Sequence, residues 1–290
     1  MFSTEHFIWI GLCAAFVAGL LIFSLKSRLS FKFFGCVMVA ICAFSEISKI
    51  MSDMEESAEG GMVLDPKSLP FHLCSLMIFV ILFIVFGKDG RAKDMCINFF
   101  AVAGILGSVC AILIPTNGTD FADIRAYQCF VYHAGLLWFA LYLICSKRTK
   151  LGIASARTNM LILLSLVPVM LYVNSALSAY GTNFMYLVRP PMEDLPFLNL
   201  DNGWYVYFLH LVSLGAVIIC LFHLPFIIAE KIEERGFLIG EDVLIDRFGK
   251  EEVKRLKKED PEAYKVFRNS PTFMPTDVVY EDGKKAKKHE

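Results

Sequence analysis

Charge is what most of this sequence lacks. Residues 229–290 hold 14 of the 28 Lys and Arg and 15 of the 29 Asp and Glu, which leaves 14 of each sign to residues 1–228. A soluble domain of that length carries about a quarter of its residues as charges, so an ordinary soluble protein is excluded. Positive excess is lacking too. The formal net charge is −1, and no basic stripe offers itself to nucleic acid. No C-x-x-C pair occurs among the nine cysteines, which removes zinc-ribbon and thioredoxin readings. The G-x-S-x-G, H-E-x-x-H and P-loop signatures are also missing, and with them the hydrolase, metalloprotease and nucleotide-binding chemistry they mark. The sequence implies no cofactor and no metal.

What is present is apolar surface. Hydrophobic residues make up 56% of the chain, 26 of them Phe. A membrane helix needs about 20 mostly apolar residues to cross a hydrocarbon core about 30 Å thick. Seven stretches meet this: residues 7–25, 31–51, 69–86, 95–114, 126–145, 159–178 and 204–228. The expected fold is therefore an all-α polytopic bundle of seven transmembrane helices over residues 1–228, followed by a charged, partly helical tail over 229–290. The first stretch is read as a span and not as a cleaved signal, because its basic cluster, Lys26, Arg28 and Lys32, follows it.

Orientation follows from the positive charges. The loops after the first (counting Lys32 at the start of the second span), third and fifth spans hold three, three and four Lys or Arg; those after the second, fourth and sixth hold only Lys67, Arg125 and Arg189. The N-terminus is expected outside and the tail in the cytoplasm, in a membrane read as that of a bacterial cell. On the outer side, Asn117-Gly118-Thr119 forms a glycosylation triplet, too close to the bilayer for regular use. In the tail, Asp260-Pro261 reads as a cap and first helical position. Val243, Leu244, Phe248, Val253 and Leu256 suit one apolar face, and disorder is expected after Pro275.

Ionisable and polar groups inside spans are costly and usually face protein or a water-filled cavity. Here they gather at one depth. Glu46 and Lys49 end the second span, His72 and Cys74 open the third, and His133 lies early in the fifth. Asn174 ends the sixth, Asn183 follows it in the loop, and His210 lies early in the seventh. Counted along the helices, these groups fall within about 10 Å of the outer boundary, which suggests a pocket opening outward. Glu46 and Lys49, three apart, also suit a simple ion pair. His72 and Cys74 would point about 200° apart on a regular helix, which disfavours a shared metal. Cys129 and His133, four apart, would place a thiol beside a base. The N-terminus of the third helix would itself stabilise a Cys74 thiolate.

The runs Phe44-Ser45-Glu46-Ile47-Ser48-Lys49, Leu69-Pro70-Phe71-His72-Leu73-Cys74, Val131-Tyr132-His133-Ala134-Gly135 and Gly181-Thr182-Asn183-Phe184-Met185-Tyr186-Leu187 together resemble the YwaF-type integral membrane family of bacteria. Ser75 stands where that family usually has an acidic residue. The family is distantly similar to a eukaryotic seven-span acyltransferase that remodels ether phospholipids through a cysteine. The resemblance implies Cys74 as nucleophile and His133 or His72 as base. Glu46, Lys49, Asn174, Asn183 and His210 would then contact substrate, and membrane lipids or an acyl donor would be the partners. Two other functions stay open on the residues alone: a transporter or binding protein for a small polar solute using Glu46, and a non-enzymatic receptor or scaffold.

The charge alternation makes the topology testable. Reporter fusions at Gly60 and at the C-terminus should report opposite compartments; the same compartment for both would contradict an odd number of crossings.

Overall fold

The computed structural model describes residues 3–57, 60–115, 118–192, 195–234 and 241–269. Asn117 of the glycosylation triplet and the expected disorder after Pro275 lie outside the described residues. The chain divides into two compact units, Met1–His223 and Leu224–Glu290.

The first unit is built on long apolar helices whose starts are set by small polar caps. Ser3 accepts the His6 N–H at the start of α1 (Thr4–Lys26), and Ser30 does the same for Phe33 at the start of α2 (Phe31–Ser52). Such caps satisfy N–H groups that a helix leaves unpaired in its first turn. After α2 the chain makes a small antiparallel hairpin, β1 (Met54–Glu56) with β2 (Met62–Leu64), Glu55 facing Val63. Then follow α3 (Leu73–Phe86), α4 (Arg91–Leu113), α5 (Ile124–Cys145), α6 (Ile153–Ala176) and α7 (Trp204–Glu234). All nine cysteines fall in these helices, unpaired.

Among the described residues, six helices are long and apolar enough to cross a membrane: α1, α2, α4, α5, α6 and α7. The third stretch differs from expectation. Its helix has 14 residues, about 21 Å, because Leu69, Pro70 and Phe71 form a turn and His72 is an extended N-cap at φ −70, ψ 149. The cause is local: Pro70 cannot donate to a helix, and the residue before it is biased away from helical backbone. The sixth helix, in contrast, starts earlier than its apolar run, at Ile153.

The core is centred on α5. Phe130, Leu136, Trp138, Phe139 and Leu143 are fully or nearly fully buried, packed among residues of α1 to α4 such as Trp9, Phe34, Met77 and Phe100. Trp9 stacks on Phe130 with ring centroids 4.7 Å apart. Close approach rests on Gly135, where a Cβ would lie 3.0 Å from Cγ2 of Ile41 on α2. A second cluster forms around Met170 of α6, Phe184 and Leu187, with Leu69 and Phe71 from before α3 and Phe208 and Leu211 of α7.

In the second unit, the expected single apolar face from Glu241 to Lys258 is divided between two helices, α8 (Glu241–Phe248) and α9 (Lys250–Glu259). Gly249, at φ 83, takes a backbone conformation that favours glycine and ends α8. Asp260 caps α10 (Pro261–Asn269), its carboxylate accepting the Ala263 N–H at 2.9 Å. Leu244, Val253 and Tyr264 form a small core. The Tyr264 hydroxyl donates to Glu241, and Lys257 lies 3.2 Å from the same carboxylate. The tyrosine hydrogen bond first, and then the lysine, hold the Glu241 carboxyl below the usual carboxylate range.

Two glycine substitutions test the packing. Gly135→Val inserts atoms against Ile41 and should destabilise by about 1–3 kcal/mol, as overpacking does. Gly11→Val, with nothing within 4 Å of its Cβ position, should leave the detergent unfolding transition unchanged.

Candidate functional site

The site forms where the C-terminus of α2, the N-terminus of α3, the first turns of α5 and the α6–α7 loop meet. At its base Lys49 Nζ lies 2.8 Å from Glu46 Oε1, both side chains largely covered. This is the i,i+3 pair anticipated above. Lys49 lies within electrostatic reach of both His72 and Cys74. Next to the pair, Gln128 Nε2 donates to the Ser45 hydroxyl at 2.7 Å, tying α5 to α2.

Cys74 is the second residue of α3. Its thiol lies against the backbone N–H and hydroxyl of Ser75, at the end of the helix where unpaired N–H groups concentrate positive charge. The Tyr132 hydroxyl donates to the Cys74 carbonyl at 2.6 Å, which locks the first turn of α3 to α5. Cys129 and Tyr186 are both within electrostatic reach of Cys74.

The two histidines are held differently. His133, buried on α5, has Nδ1 2.7 Å from the Cys129 carbonyl and 3.6 Å from the Cys129 sulfur. Donation from Nδ1 to the carbonyl leaves the Nε2 lone pair as the basic position. His72 sits outside α3 as its N-cap, without bonding the helix through its side chain. Its ring is set by aromatic contact, 5.3 Å from Phe184 and 5.8 Å from Tyr186 between centroids. The 200° separation expected for His72 and Cys74 on one helix therefore does not apply, since only Cys74 is helical. Among the described residues, no group of three or more His, Cys, Asp and Glu is placed to hold a metal ion.

The remaining expected substrate contacts serve the backbone. Asn174 is buried, donating to the Phe184 carbonyl at 3.1 Å and accepting the Phe184 N–H at 2.8 Å. Asn183 donates to the Arg189 carbonyl and accepts the N–H groups of Val188 and Arg189. His210 Nδ1 donates to the Phe197 carbonyl at 2.7 Å, in contact with the loop and not with Cys74. The structure thus gathers Glu46, Lys49, His72, Cys74, Cys129 and His133 at one end of the bundle. Asn174 and Asn183 act one step away, through the loop that carries Phe184 and Tyr186.

Tyr132, Tyr186 and Ser75 belong to this arrangement and were not singled out from the sequence as site residues. For Tyr132 a signal existed: Cys129, Tyr132 and His133 share a helical face at i, i+3 and i+4. For Tyr186, in a loop, periodicity carries none.

Among comparisons with known proteins, the model of the TMEM164 family matches residues 1–223, which cover the helices and loops described here. No curated protein and no solved structure matches the chain.

The Asn174 clamp yields a prediction. Asn174→Ala leaves the N–H of fully buried Phe184 without its partner, at about 1–3 kcal/mol for an unsatisfied group, and leaves its carbonyl only the 3.4 Å bond from the Leu187 N–H. The variant should unfold earlier in detergent and be cut by protease in the 181–192 segment. Asn174→Asp, which still accepts from the Phe184 N–H, should lose less.

Proposed function

Since the chain belongs to the TMEM164 family, of membrane proteins, we propose that it is a multi-pass lipid acyltransferase that carries the acyl group as a thioester on Cys74. The observation that supports this most is the surroundings of the Cys74 sulfur: a helix N-terminus, the Ser75 N–H and hydroxyl, and Lys49, with His72 two residues before it and His133 one turn after Cys129 on α5. The charge alternation of the loops supports seven crossings, α3 being completed by the turn that precedes it, with the site on the outer side and the tail in the cytoplasm.

In the proposed reaction His133 Nε2 takes the Cys74 proton. The sulfur attacks the carbonyl carbon of a donor lipid ester, the ester C–O bond breaks, and the released lysolipid alkoxide receives that proton. A hydroxyl of the acceptor lipid then gives its proton to the imidazole and attacks the thioester carbonyl. The C–S bond breaks, and Cys74 regains a proton from His133. Oxyanion charge in both steps develops near the first-turn N–H groups of α3 and near Lys49, where fixed donors are most effective. His72, wedged between Phe184 and Tyr186, is the second candidate for the proton-transfer role. The pairing of Glu46 with Lys49 favours this reading over cation-coupled transport, since the carboxylate is already neutralised by its neighbour.

Incubating the purified chain with a phospholipid carrying a labelled acyl chain should produce a hydroxylamine-sensitive adduct on Cys74. Cys74→Ala should abolish it, whereas Cys129→Ala should keep it. General-base catalysis contributes about 10²–10⁴-fold, so His133→Gln should slow adduct formation by at least about 100-fold. An adduct that persists in Cys74→Ala would overturn the proposal.

A further inference from the structure

A cavity of about 360 Å³ lies between the end of α6, the residues that follow it and the start of α7, lined by Leu171, Ser175, Ser178, Thr182, Arg189 and Trp204 among others. This is within the range of small-molecule pockets, about 300–1,000 Å³. Among the described residues, Arg189 is the only charged one in its lining. One guanidinium N–H donates to the Gly181 carbonyl at 3.1 Å, beyond the end of α6, and among the described residues no carboxylate pairs with it. The Asn183 side chain bonds both the N–H and the carbonyl of Arg189, so the base of this side chain is fixed before any ligand arrives. Hydroxyls of Ser175, Ser178 and Thr182 share the lining with it. The Thr182 hydroxyl donates to the Leu177 carbonyl, which leaves the Ser175 and Ser178 hydroxyls as the donors in the lining. Leu171, Leu187, Val188 and the Trp204 ring make the rest of the wall apolar. The backbone beside the cavity holds unusual conformations: Met185 and Tyr186 both sit at φ 55, in the left-handed region that costs a side-chain-bearing residue energy and clusters at functional sites.

The geometry points to a phosphate-binding site at Arg189, separate from the Cys74 centre, that takes the phosphate of an amphiphile whose apolar part lies along Leu171 and Trp204. A guanidinium fork that no described carboxylate occupies matches phosphate oxygens two at a time, and the neighbouring Ser175 and Ser178 hydroxyls supply further donors. This site does not rest on the acyl-transfer reading, because binding there needs no thiol.

The test uses the full chain carrying Cys74→Ser, which makes it independent of any acyl transfer. Native mass spectrometry from detergent would compare retention of phosphatidylglycerol with that of diacylglycerol bearing the same acyl chains. Phosphatidylglycerol should be retained about tenfold better, in keeping with the loss of a charge-assisted hydrogen bond in the lipid without phosphate. Arg189→Gln should erase the preference and Arg189→Lys, which keeps the charge but not the fork, should keep part of it. Ser178→Phe, which fills the cavity without touching Arg189, should weaken retention as well and guards against misfolding of the arginine variants. Competition by inorganic phosphate would support the site as one for the phosphate alone; retention that resists it but still depends on Arg189 would support the whole lipid as ligand. Equal retention of the two lipids, or an unchanged preference in a folded Arg189→Gln, would overturn the assignment.

Discussion

Backbone that leaves the helical form at membrane depth has no water to bond, so its N–H and C=O groups must be answered by the protein itself. The same demand holds wherever protein covers irregular backbone; the turn before α3 and the loop between α6 and α7, with Phe184 and Leu187 buried, are such segments, and much of the site's architecture follows from how they are answered. Asn174 bonds both polar groups of Phe184. The Tyr207 hydroxyl donates to the Tyr186 carbonyl, and the Trp204 indole to that of Leu187. Tyr132 does the same for Cys74 at the start of α3. Each anchor comes from a long helix, so the irregular segments inherit the rigidity of the bundle.

Rigidity of this kind matters for the chemistry proposed. A thiol and a base separated by a mobile loop would meet only occasionally, and misplacement by about 1 Å can cost about 100-fold in rate. Here His72 is oriented by two rings of the anchored loop, and His133 by the Cys129 carbonyl on its own helix. The left-handed conformations of Met185 and Tyr186 cost on the order of 1–3 kcal/mol each. They persist because Phe184 is both buried and clamped. The same loop sets aromatic rings against His72 and contributes Arg189 and Thr182 to the lining of the cavity.

Much of the fold was legible in the sequence because hydropathy reports helices directly. Six of the seven expected stretches correspond to helices long and apolar enough to cross a membrane. The third was read too long because Leu69 and Phe71 are apolar; they are apolar to pack against Phe184, not to extend α3. The central place of α5 was hidden, since hydropathy marks a helix as apolar without showing whether protein or lipid covers it. The polar groups stood out in the sequence because they interrupt or end apolar stretches, and in the structure Asn174, Asn183 and His210 bond backbone groups. A polar side chain in or beside an apolar helix serves either a ligand or an otherwise unpaired backbone group. Nothing in residue type distinguishes these uses. In the tail, Gly249 was the readable sign of a break, and the apolar spacing on either side of it obscured that sign.

The central claim is that the α6–α7 loop is held as firmly as the helices through side-chain anchors to its backbone. Hydrogen-exchange mass spectrometry on the full chain in lipid nanodiscs measures this directly. The account predicts that the amide of Phe184, bonded to Asn174, exchanges as slowly as amides in the middle of α6, while amides of the exposed residues 200–202 exchange fast. Exchange of Phe184 at the rate of those exposed residues would show that the loop is not anchored and would contradict the account.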